Sequence, residues 1–412
     1  MTPHPAARPA LALGHPPLPP ATFAARRAAA LAHLRSHGID ALVVASHGLG
    51  LGADTTALGY ARYLCDWDGG PTPSLLLAAP NAAPVLLVAY HTLMRKAQQM
   101  TDIADIRAVG PARYGALAAG WLAGRGAKRI GIVGRAEMPL GVWMPLAEGL
   151  PGAGWVDVEG LLDGFRVAKD AEQLAIHRAG AAICDAMFAE LARHARAGVP
   201  MFVLKARMEQ VAREAGCDFV NTWISGGRRA DYCRYFAAEC GHVPREGDQL
   251  LAGVAVTLHG HWAHAVRSGH LGEPPAAQRA FHDLAREIHA ASLAALQPGC
   301  DLWEVHDAAV ATLERAWPDW RARGMTFSRA GHGLGLSYYD PVATTAFPVS
   351  YTEQVPPPGA RPRIEARPGM VLELHPIMFD PEFGGAALGD MVLVTETGTE
   401  LLTHAPRELA IY

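Results

Sequence analysis

The sequence predicts an α/β domain followed by an α+β domain. The chain has 412 residues, which is long for a single ordinary domain. Its first part alternates short apolar runs with helical segments. Its second part combines longer amphipathic helices with strands that carry histidines and acids. The predicted division is a disordered, proline-rich arm over 1–20, the α/β domain over 21–160 and the α+β domain over 161–412.

Apolar runs and helical periodicity predict the individual elements. In the first domain a helix over "ATFAARRAAALAHLRSHG" precedes four β-like runs, "DALVVAS", "PSLLLAA", "APVLLVA" and "RIGIVG". In the second domain, strands are predicted over "QLLAGVAVTL", "HWAHAVRS", "MVLELHPIM" and "DMVLVTET". Long amphipathic helices are predicted there at about 170–196, 202–216, 275–297 and 303–316.

Composition narrows the class of protein. Half of the residues are hydrophobic, 18% are charged, and the net charge is −4, so the chain has no basic surface typical of nucleic-acid binding. It shows neither a long apolar run nor a signal-peptide pattern, and its six cysteines are scattered. We therefore expect a cytoplasmic protein with reduced thiols and a small-molecule substrate, and no nucleic-acid or membrane partner.

The hairpin that contains "TLHGHWAH" carries three histidines in six residues. Alternate residues of a strand share a face, so Trp262 and His264 are predicted to point one way and His261 the other. His259 lies at the turn. His259 and His261 are predicted to be solvated turn residues, and His264 is predicted to face the interior of the domain.

Further stretches carry the other candidate residues. "AGHGLGLSYYDP" places His332 between glycines, which allow close approach of the backbone. In "MVLELHPIM", Glu373 and His375 share a strand face, and in "ALGDMVLV" Asp390 precedes a strand.

The order of these stretches resembles that of the M24 family, in its creatinase, ectoine hydrolase and prolidase-like branch. The resemblance rests on "FRVAKDAEQLAIHRAG", "EGDQLLAGVAV…HWAHAVRSG", "GHGLGL" and "PGMVLELHPIM…GDMVLVTETG". It implies a creatinase-type amino-terminal α/β domain joined to an α+β pita-bread catalytic domain. It also implies a homodimer in which the partner's amino-terminal domain completes the active site.

The sequence departs from the resemblance at the metal ligands. Metal-binding members of the family use two aspartates, one histidine and two glutamates for a pair of ions. The corresponding residues in this sequence are Gly253, His264, His332, His375 and Gly389. The three histidines fall at positions that serve one and the same ion. The resemblance therefore implies a mononuclear three-histidine site for one divalent ion per subunit, with iron and zinc as the leading choices.

Other residues are assigned roles near this site. Glu373 is predicted to act as a general base or to orient a ligand, with an ion pair to an arginine as the alternative. Cys233 is a candidate nucleophile, with a small buried hydrophobe as the alternative. Arg267 is predicted to form a structural ion pair.

Polar loops suggest the type of substrate. Two aspartates beside a tryptophan in "YLCDWDGG" suit a cationic group, and the arginines of "SGGRRADYCRYF" suit a carboxylate. Together they predict a zwitterionic, amino-acid-like substrate. The candidate substrate-binding residues are Asp66, Trp67, Asp68, Arg228, Arg229, Arg234 and Tyr338.

The predicted reaction is hydrolysis of a C–N bond in a small, polar nitrogen compound by a metal-dependent enzyme. Classical aminopeptidase activity is not expected, because the paired-metal carboxylates are absent. Three alternatives stay open. They are a three-histidine non-haem iron enzyme with oxygen-dependent or lyase chemistry, a metal-free creatinase-like hydrolase, and a non-catalytic binding module.

Overall fold

The computed structural model describes residues 18–46, 57–67, 72–231, 237–350 and 352–412. Its contacts divide the chain into two units. The described residues of the first unit lie within Pro17–Val167 and Gly335–Tyr339, and those of the second lie within Ala168–Leu334 and Asp340–Tyr412. None of the helices in these described ranges is long and apolar enough to cross a membrane.

The first unit contains a mixed six-stranded sheet with helices around it. The order across the described sheet is β4-β3-β2-β1-β5-β6. The strands are β1 (Ala41–Ser46), β2 (Ser74–Ala78), β3 (Val85–Val88), β4 (Asp105–Ala108), β5 (Arg129–Val133) and β6 (Gly154–Asp157). The helices are α1 (Pro20–Ser36), α2 (Ala57–Cys65), α3 (His91–Met100), α4 (Tyr114–Ala123), α5 (Leu140–Glu148) and α6 (Glu159–Leu162).

Side-chain alternation explains why β1 reads as one continuous apolar run. Leu42 and Val44 belong to the hydrophobic cluster on one face of the sheet, whereas Val43 and Ala45 belong to the cluster on the other. A strand covered on both faces needs apolar residues at every position. Strands β4 and β6 are only partly buried and therefore gave no apolar signal in the sequence. The domain boundary predicted after residue 160 falls inside α6, which belongs to the first unit.

The second unit has the α+β architecture that the sequence predicts. Its helices are α7 (Ala171–His194), α8 (Met201–Glu214), α9 (Ala276–Ala295), α10 (Leu302–Ala316) and α11 (Pro341–Thr344), and the first four confirm the predicted ones. Its strands are β7 (Phe219–Gly227), β8 (Gln249–Leu258), β9 (His261–His270), β10 (Thr326–Phe327), β11 (Gly331–Leu334), β12 (Val371–Leu374), β13 (Ile377–Asp380), β14 (Gly384–Ala387), β15 (Asp390–Val394), β16 (Thr399–Leu401) and β17 (Ala410–Ile411).

Local sequence sets the ends of several elements. A capping box opens α7, where Asp170 accepts from the backbone N–H of Gln173 at 2.9 Å and the Gln173 side chain accepts in return. A two-residue turn joins β8 to β9. Its residues, His259 and Gly260, have φ values of 46° and 74°, as a type I′ hairpin requires.

Three sheets bring the strands of the second unit together among the described residues. Their orders are β17-β9-β8-β7, β11-β12-β15-β16 and β10-β13-β14. A β-bridge between Val266 of β9 and Gly389, just before β15, links the first of these sheets to the second. This link brings the hairpin strand β9 next to the strands that carry the other histidines.

Four of the buried histidines outside the candidate site have a lowered pKa, which predicts that acid destabilises the second unit. Burial lowers the pKa of His177, His282, His289 and His306, in the last two cases to about 4. In the unfolded chain each would titrate near its ordinary pKa of about 6.5. As the pH falls from about 6.5 towards 4, the unfolded state binds more protons than the folded state, because the buried histidines stay neutral. The free energy of unfolding therefore decreases.

We expect each of these histidines to contribute up to about 1.4 kcal/mol per pH unit to this loss. Urea unfolding of metal-free protein between pH 7 and 4.5 measures the slope. The variant His306→Phe, which keeps a ring beside Trp303, should have a shallower slope. A free energy of unfolding that stays constant or rises on acidification would contradict the prediction.

Candidate metal centre

Strand pairing brings three histidines and one glutamate to a common point in the second unit. His332 of β11 pairs directly with Glu373 of β12, and His375 follows β12 by one residue. His264 lies on β9, two residues before Val266, whose backbone exchanges hydrogen bonds of 2.9 and 3.1 Å with Gly389. Four residues from three widely separated stretches of the sequence therefore meet inside the protein.

The carboxylate of Glu373 lies at the centre of this group. One of its oxygens, Oε2, is 3.2 Å from Nε2 of His332 and 3.9 Å from Nε2 of His375, and it contacts Nδ1 of His264 closely. One nitrogen or oxygen atom from each of the four side chains can be chosen so that all lie within 4.8 Å of one another. The arrangement matches a compact set of ligands for a single ion.

Burial favours the neutral forms of the four side chains. All four side chains are at most 6% exposed. Desolvation lowers the pKa of His264 to about 3, lowers that of His332, and lowers that of His375 well below its ordinary value. Desolvation also raises the pKa of Glu373 to about 7, against the opposing effect of His332. The imidazoles are therefore neutral, which is the form that binds metal ions.

One hydrogen bond fixes the orientation of His332. Its Nδ1 donates to the backbone carbonyl of Gly333 at 2.9 Å. The proton of the neutral ring is then on Nδ1, and Nε2 presents its lone pair to Glu373. Histidine ligands of metals usually have this arrangement, with one ring nitrogen held by a backbone carbonyl.

Unsatisfied buried atoms support a cation at this point. Both oxygens of Glu373, one of which lies against imidazole nitrogens of all three histidines, are buried without a partner of hydrogen-bond geometry among the described residues. Buried polar atoms normally have a partner. A divalent ion would satisfy lone pairs that face one another, so the residues fit a mononuclear metal centre. His264, His332, His375 and Glu373 would hold the ion.

Neighbouring side chains fill the space in front of Gly389 and Gly253, the two glycines at positions where family members have metal ligands. A Cβ atom on Gly389 would lie 2.5 Å from Oε1 of Glu373, so the carboxylate occupies the place that a side chain at residue 389 would need. A Cβ atom on Gly253 would lie 2.1 Å from the indole of Trp223. The buried Trp223 therefore fills the space in front of Gly253. No sequence motif marks this tryptophan, because its position in front of Gly253 depends on the pairing of β7 with β8.

The prediction for His261 was wrong. His261 is 4% exposed, and its Nδ1 donates to the carbonyl of His259 at 2.9 Å. Its Nε2 lies 3.2 Å from the amide nitrogen of Gln173, and its ring packs edge-on against His177. Helix α7 covers this side of the hairpin, which strand alternation alone does not reveal. His259 is half-buried at the turn.

The structure explains the position of Trp67 and Asp66 without a substrate. Trp67 is fully buried in the first unit, and its indole N–H donates to Oγ of Ser74 at 2.7 Å. Asp66 accepts from Arg62 at 3.2 Å. These contacts favour structural roles within one chain, and substrate contact stays a prediction.

The other candidate substrate residues are dispersed or lie outside the described ranges. Arg228 is 73% exposed, with Nε 3.6 Å from Asp248, and Arg229 donates to the carbonyl of Pro381 at 3.1 Å. Tyr338 is half-buried, belongs to the first unit and packs against Tyr339. Asp68, Cys233 and Arg234 lie outside the described residues, so their predicted roles stay predictions.

Arg267 forms the predicted structural ion pair. Its Nη2 donates to Oδ1 of Asp390 at 2.7 Å, and the pair is buried. Its Nη1 donates to the carbonyl of Gly389 at 2.6 Å. Arg267 therefore stabilises the β-bridge between Val266 and Gly389, which links β9 to the start of β15.

Comparisons with known proteins agree with this architecture. Residues 175–396 match the family described as metallopeptidase family M24, and residues 26–168 match the creatinase/prolidase N-terminal domain. The prolidase of Pyrococcus horikoshii OT3 superposes with a TM-score of 0.76 at 17% identity, covering 93% of this chain and 99% of that one. At this identity the likeness shows the fold alone.

Two relatives in sequence are named after different activities, one as a cyclase and one as a peptidase. Agropine synthesis cyclase of Rhizobium rhizogenes is 38% identical over 149 residues, which cover 36% of this chain and only 33% of that protein. The uncharacterized peptidase YqhT of Bacillus subtilis (strain 168) is 24% identical over 291 residues, covering 69% of this chain and 76% of that one. The predicted two-domain pita-bread fold is thus confirmed.

Proposed function

The chain belongs to metallopeptidase family M24, and from this premise we propose that it is a mononuclear metal-dependent hydrolase rather than a paired-metal peptidase. The observation that carries the proposal is the buried convergence of His264, His332, His375 and Glu373. The substrate that we propose is a small, polar, amino-acid-like nitrogen compound, and the reaction is cleavage of its C–N bond by water.

The roles of the residues follow from their geometry. The three imidazoles would bind the ion as neutral ligands, and Glu373 would complete the set through Oε2, the oxygen that faces the rings. When bound, such an ion polarises a carbonyl or lowers the pKa of a water molecule. The second oxygen of Glu373, Oε1, would accept the proton that the attacking water loses. The buried walls exclude bulk water, which strengthens these interactions.

A second candidate reaction is ring closure, favoured by the 38% identity with a protein named as a cyclase. In that reaction a hydroxyl or amine of the substrate attacks the carbonyl carbon of the C–N bond in place of water, and the C–N bond breaks. The same residues hold the reacting group and pass the proton of the nucleophile to the departing amine. Mass spectrometry of the product separates the two reactions, because hydrolysis adds the mass of water to the sum of the products and ring closure does not.

The number of metal ions that the purified protein retains per chain tests the proposed metal centre. Protein purified without chelator and incubated with Zn²⁺, Fe²⁺ or Mn²⁺ is expected to retain about one ion per chain after desalting. The variant His264→Asn should retain less than about a tenth of that amount, because it removes one of the ligands. Elemental analysis by mass spectrometry measures both.

The variant His259→Asn is the matched control, since it removes an imidazole from the turn of the same hairpin and asparagine tolerates the positive φ there. It should bind as much metal as the wild type. Equal metal content in His264→Asn and the wild type would overturn the proposal, as would wild-type protein that binds none of the three ions.

A further inference from the structure

The backbone N–H and C=O of Gly333 are fixed by residues outside the ligand strands. The carbonyl that accepts from His332 also accepts from the backbone N–H of Asp340 at 3.0 Å. The backbone N–H of Gly333 donates to Oγ1 of Thr344 at 3.0 Å. Asp340 directly precedes α11, and Thr344 is its last residue. The start and end of this short helix therefore hold the N–H and the C=O of Gly333, which belong to the two peptide groups on either side of its Cα.

A buried ion pair anchors the start of α11. The carboxylate of Asp340 contacts Nζ of Lys169, and both side chains are 3% exposed. Buried pairs of this kind impose a defined geometry, since either charge alone would be costly in the protein interior. The backbone N–H that Asp340 offers to Gly333 is consequently held in place.

We infer that Thr344 and Asp340 are positioning residues for the metal ligand His332, acting through the backbone N–H and C=O of Gly333. This inference rests on the proposed metal centre. The Gly333 carbonyl keeps the proton of His332 on Nδ1 and directs Nε2 towards the other ligands. Without the Thr344 hydroxyl, the Gly333 N–H loses its acceptor, the backbone torsions of Gly333 are less restrained, and its carbonyl can move away from His332. Loss of such an outer contact typically weakens metal binding 10- to 100-fold.

The test compares two neighbouring threonines. Thr344→Val removes the hydroxyl that binds Gly333, whereas Thr345→Val removes a hydroxyl that only donates to the carbonyl of Pro341 within the helix. Competition with a chromophoric chelator measures the Zn²⁺ affinity of each full-length variant. We expect Thr344→Val to bind Zn²⁺ about 10- to 100-fold more weakly than the wild type. Thr345→Val and Thr344→Ser should bind as tightly as the wild type.

A purely structural role for Thr344 predicts a different pattern. In that case Thr344→Val would unfold more easily in the presence of EDTA yet bind Zn²⁺ as tightly as Thr345→Val, and the inference would be overturned. If Thr344→Val does not fold, the Zn²⁺ affinities of Thr344→Ala and Thr345→Ala are compared in the same way, with the same expected results. Wild-type protein that binds no Zn²⁺, Fe²⁺ or Mn²⁺ would overturn the proposed function itself and the inference with it.

Discussion

Replacing Gly389 with alanine is expected to weaken metal binding at least 10-fold and to lower the catalytic rate with it. The added Cβ atom would lie 2.5 Å from Oε1 of Glu373, 2.9 Å from Cβ of His375 and 3.0 Å from Cβ of Val266. These atoms are buried and cannot move far, so the carboxylate must leave its place among the imidazoles. The overpacking should also cost about 1–3 kcal/mol of folding free energy.

The matched control for this prediction is Gly398→Ala, because a Cβ atom on Gly398 would meet no other atom within 4 Å. Both variants are titrated with Zn²⁺ against a chelator, and their unfolding in urea is followed with EDTA present. Gly398→Ala should match the wild type in both measurements. A Gly389→Ala protein with wild-type Zn²⁺ affinity would show that Glu373 is not a ligand.

The elements of the second unit could be predicted because their periodicity is local. Amphipathic spacing gave the four long helices to within two residues at each end. Strand alternation placed Glu373 on the face of His375, and both are buried in the same cluster. The convergence of His264 with His332 and His375 was expected only from the resemblance to a family, since no local pattern relates residues so widely spaced in the chain.

Features that depend on packing between elements could not be predicted. His261 reads as a turn residue in the sequence, yet Gln173 and His177 of α7 bury it. Trp223 has no ionisable group, so no chemical motif marked it as the residue that fills the space in front of Gly253. The carboxylate of Glu373 can lie at the centre of the site because residue 389 is a glycine. A single sequence does not reveal that residues 373 and 389 are in contact.

Removing the guanidinium of Arg267 is expected to cause the largest loss of stability. Arg267→Met deletes hydrogen bonds to Asp390 and to the carbonyls of Val266, Gly389 and Ala405, at 2.6–2.8 Å. Burial alone would raise the pKa of Asp390, but Arg267 and other cationic neighbours outweigh it and lower this pKa, so the carboxylate is ionised. Breaking a buried pair by removing one partner costs about 3–5 kcal/mol.

An exposed ion pair is the control for this substitution. Arg178 binds Glu400 at 2.7 Å with both side chains more than 40% exposed, so Arg178→Met should cost only about 0–1 kcal/mol. Urea unfolding measures both variants. Comparable losses for the two would contradict a dominant role of the buried pair. Because Arg267 holds the carbonyl of Gly389, which lies against Glu373, its loss should weaken Zn²⁺ binding as well as folding, whereas Arg178→Met should leave Zn²⁺ affinity unchanged.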